Sequence, residues 1–193
     1  MLSYKESLKI LKETDALIEG HFILSSGLHS DKYIQCAKLL SKPVKAKDLC
    51  QSLAEKINEN FNDFNLVLSP AIGGIVIGYE IGRLLNVETI FAERVNKIFQ
   101  LRRGFEIKKN HKILIVEDVI TTGKSSLECS NIIQKMGGKI VGYACIIDRS
   151  NGKSLIKDKI VSQVQLSIPT YTKENLPKEL IGIDAIKPGS RNL

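Results

Sequence analysis

Apolar residues run consecutively at Leu66-Val67-Leu68, at Ile113-Leu114-Ile115-Val116 and, with small residues between, through Val141–Ile147. Such runs lack the alternation of a half-exposed strand and predict strands covered on both faces. Val87–Glu93 and Gln163–Ile168 read as further strands. Between them the apolar spacing changes to three and four. Leu49, Leu53 and Ile57 follow Pro43 and predict a helix to about Asn60. A second helix is expected from about Ile75 to Leu85, and a third from about Lys124 to Met136, stopped by Gly137-Gly138. At the start, Ser3-x-x-Glu6 has the form of a capping box, with Leu8, Leu11 and Leu17-Ile18 on the inner face of a helix ending near Gly20. His21–Leu24 and Lys32–Cys36 read as short strands around a Ser/Gly turn, forming a hairpin-like flap. The tail, Tyr171 to Leu193, is irregular. Strands alternating with helices predict an α/β fold with a mainly parallel sheet flanked by helices.

The 193 residues suffice for one domain with a substantial core. No apolar stretch is long enough for a signal peptide or a membrane span. Cys36, Cys50, Cys129 and Cys145 are scattered with no C-x-x-C pair, as small core residues of a reducing compartment would be. His21, His29 and His111 lack metal-ligand spacing. The expected setting is cytoplasmic, with no membrane partner. The net charge of +7 suits a polyanion, whether nucleic acid or a phosphorylated metabolite. Most lysines are spread singly, which favours a solvated surface over a nucleic-acid face. The exception is Arg94–Arg103, where Arg94, Lys97, Arg102 and Arg103 occur with no acid between them. Ile98-Phe99 and Leu101 make this segment a two-stranded basic flap, ended by Gly104.

The central strand carries the densest chemistry. After Val116 come Glu117-Asp118, then Val119-Ile120, then Thr121-Thr122-Gly123-Lys124-Ser125 at the start of a helix. Backbone N–H groups and the helix dipole favour an anion at such a turn. The carboxylates can accept hydrogen bonds from sugar hydroxyls or help hold a hard cation. A nucleotide P-loop does not fit, because Asp118 stands where that pattern needs its first glycine. A second strand–turn–helix unit, Ser69-Pro70-Ala71-Ile72-Gly73-Gly74, is not a dinucleotide fingerprint. Gly73 and Gly74 at its mouth are candidates for ligand contact. Gly78 and Gly82, on one helix face with Gly74, are expected to pack closely on the sheet.

Two acids, two apolar residues and Thr-Thr-Gly-x-Ser behind a buried strand resemble the phosphoribosyl pyrophosphate (PRPP) loop of type I phosphoribosyltransferases. Other segments, collinear over nearly the whole chain, resemble the orotate phosphoribosyltransferases among them. Gly20–Ser30 is similar to the family's N-terminal hood, and Pro70–Gly74 to its pyrophosphate-side loop. Phe91–Arg94 with Leu101–Phe105 is similar to its catalytic loop. Asp148-Arg149 falls where the family grips orotate, and Lys187-Pro188-Gly189-Ser190 resembles the tail of one bacterial branch.

The resemblance implies one domain over 1–193, with a hood formed mainly by about 1–40 and part of the tail. It implies transfer of ribose 5-phosphate from PRPP to orotate in pyrimidine biosynthesis. PRPP would be held by Arg94, Glu117, Asp118, Val119, Ile120, Thr121, Thr122, Gly123, Lys124 and Ser125. Orotate would be held by Ser26, Gly27, Thr121 and Arg149. Lys97 and Asp118 would be catalytic, and Gly73, Gly74, Arg102 and Arg103 would face pyrophosphate. It also implies Mg2+ held mainly by PRPP and water, and a homodimer sharing the basic flap across its interface, with no nucleic acid bound. Ser25 and Gly73 stand where better-known members carry lysines. The rivals are a purine phosphoribosyltransferase and a PRPP-fold regulator that binds nucleic acid.

Overall fold

The computed structural model describes residues 1–24 and 26–188. Ser25 and the Gly189-Ser190 part of the tail motif lie outside the described residues. In chain order the elements are α1 (Tyr4–Glu13), β1 (Leu17–Ile23), β2 (His29–Ile34), α2 (Cys36–Leu40), α3 (Pro43–Asn60) and β3 (Leu66–Pro70). Then follow α4 (Gly73–Leu85), β4 (Glu88–Val95), β5 (Ile98–Leu101), β6 (Lys112–Ile120), α5 (Lys124–Lys135), β7 (Lys139–Asp148) and β8 (Ile160–Gln165). Among the described residues, six strands form one sheet in the order β5-β4-β3-β6-β7-β8. All neighbours are parallel except β4 and β5. β6, the strand with the acidic pair, lies at the centre. In open sheets of this kind sites form outside the carboxyl ends of the strands.

Alternation along β6 divides the core. Leu114 and Val116 pack with α3 and α4 on one face. Ile113 and Ile115 pack with Cys129 and Ile133 of α5 on the other. The four cysteines are free and buried, as expected of small core residues.

Gly78 and Gly82 let α4 lie directly on the sheet. A Cβ at Gly82 would collide with Thr89 Oγ1 and stand 2.8 Å from the Val87 carbonyl oxygen. A backbone oxygen cannot turn aside. Gly82→Ala gains about 1 kcal/mol of helix propensity, but overpacking costs about 1–3 kcal/mol. Its urea midpoint should therefore fall below that of the parent. A higher midpoint would mean that α4 can lift from β4 without loss.

Three expectations needed correction. The first helix stops at Glu13, not near Gly20, because Thr14 caps it and Asp15 takes a positive φ of 58°. Leu17 and Ile18 then pair with Ile34 and Tyr33 across β1 and β2. The second strand of that pair runs His29–Ile34, and Cys36 opens the short helix α2, which the sequence pattern had not separated from the strand. The last strand ends at Gln165 rather than Ile168.

The basic flap is a hairpin of β4 and β5, as the pattern predicted. Its turn residues Asn96 and Lys97 both have positive φ, 50° and 67°. That is the backbone of a two-residue turn matched to strand twist.

Candidate active site

The period of two that divides the core continues into the acidic pair. Glu117 falls on the α5 face, where its carboxylate accepts a hydrogen bond from Ser126 Oγ. Asp118 falls on the α4 face, against the first residue of that helix. A Cβ at Gly73 would lie 2.7 Å from Asp118 Oδ2 and 2.8 Å from Oδ1. The Asp118 carboxylate thus occupies the space that a side chain at position 73 would need. This gives a physical reason for glycine where a lysine was expected. The two acids straddle the end of one strand, each facing the turn of a different strand–turn–helix unit.

Burial pushes both carboxyls upward. Glu117 reaches about 7, with the Ser126 hydrogen bond opposing, the neighbouring Asp118 adding and Arg94 opposing. Asp118 is also raised by burial, against backbone N–H groups that favour its charge. In the unfolded chain Glu117 ionises near its ordinary 4.5. Between about 4.5 and about 7 the folded protein holds the extra proton, so Glu117 makes stability fall as pH rises through that window. Its contribution is complete below the window and gone above it. Glu117→Gln stays neutral and should lose less stability between about pH 5 and about pH 8, measured by urea midpoints. Equal losses in the two proteins would rule out Glu117 as the source.

The loop that follows is braced from one side and open on the other. Gly123 precedes α5 with φ 77°. A Cβ there would approach Ser154 Oγ to 2.7 Å and Ile156 Cδ1 to 2.8 Å. Leu155 N–H donates to the Thr122 carbonyl at 2.9 Å, tying the loop to the segment beyond β7. Thr121, Thr122 and Lys124 are exposed. Gly123 at the N-cap offers no side chain to the first turn of α5, and Lys124 N–H meets Thr122 Oγ1 at a long 3.4 Å, which leaves the N–H groups of this turn suited to an anion.

The four basic residues of the hairpin are not gathered in one place. Arg94 turns toward α5, where Nη1 donates to Glu128 Oε2 and to the Lys97 carbonyl, both at 2.7 Å. The Lys97 side chain is exposed at the turn. Arg102 and Arg103 engage Glu93, with Arg103 Nε 3.1 Å from its carboxylate. Glu93 and Arg94 are adjacent in a strand, so these two groups lie on opposite faces of the hairpin.

At the end of β7, Arg149 N–H donates to the Ile120 carbonyl at 2.9 Å, which places it beside the strand carrying the acids. Its side chain is half-buried, and burial lowers its pKa. Among the described residues its guanidinium has no hydrogen-bond or ion-pair partner.

Ser26 and Gly27 form an exposed turn between β1 and β2, closed by Gly27 N–H to the Leu24 carbonyl at 2.9 Å. Below it, His21 Nε2 and His29 Nδ1 are 2.7 Å apart, and His21 Nδ1 meets the Ile183 carbonyl at 2.7 Å. Backbone bridges from Phe22 to Ile186 and from His29 to Tyr171 also tie these strands to the tail. Cys36, just past β2, places its thiol 3.9 Å from the Asp118 carbonyl oxygen.

Ser126, Glu128, Cys36 and the 154–156 segment were not anticipated. Ser126 and Glu128 follow the loop motif directly, and helical spacing could have placed them near it. Nothing in the sequence pointed to Cys36 or to residues 154–156. Among the described residues no three His, Cys, Asp or Glu side chains converge as a metal cluster, and no helix is long and apolar enough to cross a membrane.

Residues 40–174 match the family model for the phosphoribosyl transferase domain. An orotate phosphoribosyltransferase of Carboxydothermus hydrogenoformans is 46% identical over 183 residues, covering 95% of this chain and 96% of that one. That of Parvibaculum lavamentivorans is 46% identical over 189 residues, covering 96% and 97%. Among solved structures, orotate phosphoribosyltransferase from Aeropyrum pernix superposes with a TM-score of 0.72 at 23% identity, covering 82% of this chain and 92% of that one. An adenine phosphoribosyltransferase from Thermoanaerobacter pseudethanolicus shares the fold with a TM-score of 0.60 at 15% identity, covering 70% and 88%. With a central acidic pair, an exposed loop at the start of α5 and relatives of this identity over nearly its full length, the chain belongs to the orotate phosphoribosyltransferase family of type I phosphoribosyltransferases.

Proposed function

We propose that the carboxyl edge of the sheet, around β6, is where this chain carries out its family's reaction. The 5-phosphoribosyl group passes from PRPP to orotate, giving orotidine 5′-monophosphate and pyrophosphate in pyrimidine biosynthesis. The observation that carries the orotate assignment is Arg149, a half-buried guanidinium without a partner among the described residues, beside the end of the acidic strand. A planar fork left unpaired there suits a planar carboxylate. A purine base offers none.

In this reading the open first turn of α5, with Thr121 to Ser125, takes the 5′-phosphate. Glu117 and Asp118 take the ribose hydroxyls, one from each face of the sheet. These hydrogen bonds strengthen as positive charge develops on the ring, which lowers the barrier without a protein nucleophile. Arg94 and Lys97 address the departing pyrophosphate from the hairpin. At the start of α4, exposed Gly73 offers its backbone to the leaving group on the side away from the Asp118 carboxylate, while Gly74 is buried against Ser69 and Val116 and serves by packing. Arg102 and Arg103 can join only by exchanging Glu93 for the leaving group. Ser26 and Gly27 close over orotate from the β1–β2 hood, which with the tail completes one catalytic domain over 1–193.

Mg2+, when bound, neutralises charge on the pyrophosphate. The acidic pair offers it at most one or two oxygens, so substrate and water supply most of its ligands. Exposed Ile72, Val76 and Tyr79 form an apolar stripe along one side of α4. Their spacing supports a paired copy there, in a cytoplasmic homodimer whose flaps serve across the interface.

The test is direct. Incubation with PRPP, magnesium and orotate should deplete orotate absorbance, and purine bases or uracil should not be consumed. Turnover of a purine base with orotate untouched would overturn the assignment.

A further inference from the structure

Arg94 joins three elements through a single side chain. Nη1 donates both to the Lys97 carbonyl in the hairpin turn and to Glu128 Oε2 on α5, each at 2.7 Å. The guanidinium carbon stands 4.0 Å over the Phe99 ring of β5. Glu128 lies in the second turn of the helix whose first turn carries the anion loop, two residues beyond the Ser126 that holds Glu117. Arg94 and Glu128 side chains are 38% and 28% exposed, so water screens this pair only in part. No other ion pair of either residue occurs among the described residues, and the neighbouring Arg102 and Arg103 pair with Glu93 instead.

With both hydrogens of Nη1 committed, the Nη2 and Nε donors remain for an anionic oxygen. The Lys97 turn needs positive φ at two successive non-glycine residues, a backbone that costs energy and must be held by its surroundings. Arg94 supplies that hold by accepting no other role for Nη1 than bracing the turn and meeting Glu128. Without Glu128, the guanidinium would be free to swing with the hairpin, and Lys97 with it.

We propose that Glu128 is a positioning residue for PRPP: it orients Arg94, and through Arg94 the Lys97 turn, so that the shared hairpin presents both to the leaving group. This inference rests on the reading of Arg94 and Lys97 as the leaving-group side.

Steady-state kinetics on Glu128→Ala, Arg94→Ala and the double variant test it, with each substrate varied in turn. Glu128→Ala should lower kcat/KM for PRPP about tenfold, the scale of one partly buried charge pair. KM for orotate should stay within about twofold of the parent. Glu128→Gln keeps an acceptor without the charge and should fall between. In the Arg94→Ala background the Glu128 substitution should have no further effect, since it acts through the lost guanidinium. Additive losses, equal losses for both substrates, or an unchanged kcat/KM for PRPP in Glu128→Ala would each overturn the role of Glu128. If Arg94→Ala itself leaves PRPP kinetics unchanged, the leaving-group reading falls and this inference with it.

Discussion

Asp118→Asn should lower kcat by roughly two to three orders of magnitude, the scale of losing one preorganised electrostatic contact to a developing charge. The substitution is nearly isosteric, so the loss would come from chemistry rather than packing. Asp118 stands at the end of the central strand, against the first residue of α4 and opposite in face to Glu117. As the ribose ring becomes cationic, a hydrogen bond from its hydroxyl to an ionised carboxylate strengthens more than one to an amide oxygen. Asparagine also turns an N–H donor toward a position that needs acceptors.

Stability should move differently. Burial already raises the Asp118 pKa, which means that the fold disfavours its charge. Removing that charge should leave the urea midpoint of the free protein unchanged or higher. The Cys36 contact runs to the Asp118 backbone carbonyl and survives the change. Steady-state turnover and urea unfolding on the same preparation separate the two effects. Near-parental kcat would remove Asp118 from the ribose, and a collapsed midpoint would make any activity loss uninformative about it.

Much of this geometry could be read before the fold was known. Ile113–Val116 is apolar without alternation, which identifies a strand covered on both faces, and β6 lies at the centre of the sheet. The hydroxyl and glycine run after Glu117-Asp118 pointed to a helix start, and α5 begins at Lys124. The hairpin of β4 and β5 followed from β-prone residues set between basic ones.

What was not legible depended on tertiary pairing. Leu17 and Ile18 fit a helical stripe as well as a strand, and the positive φ of Asp15 with pairing to β2 decided between them. Arg94, Lys97, Arg102 and Arg103 looked like one basic cluster. The period of two places Arg94 and Glu93 on opposite faces, and Glu93 takes two of the arginines with it. The same period sends Glu117 and Asp118 to opposite sides of the sheet. It was present in the sequence, but became meaningful only once helices were seen on both faces. The glycine at position 73 read as a missing charge. The position of the Asp118 carboxylate shows it also to be a space requirement.

Arg149→Lys should lower kcat/KM for orotate by about 10²-fold and change KM for PRPP little, the asymmetry expected where a site built for a planar fork receives a point charge. Lysine keeps the positive charge, so a general electrostatic role would survive the change and only paired recognition would be lost. Arg149 is half-buried, and its guanidinium lacks a partner among the described residues. A cation held this way opposes folding, because burial disfavours its charge. Arg149→Met should therefore leave the free protein as stable as the parent or more so, while orotate use falls further than in the lysine variant. This opposition of stability and activity is expected where an unpaired group is kept for a ligand. Kinetics with each substrate varied in turn, together with urea midpoints for the three proteins, give the comparison. Equal losses for PRPP and orotate would place Arg149 in the general architecture of the site. A methionine variant that unfolds more readily would show that the guanidinium stabilises the free protein instead of waiting for a carboxylate.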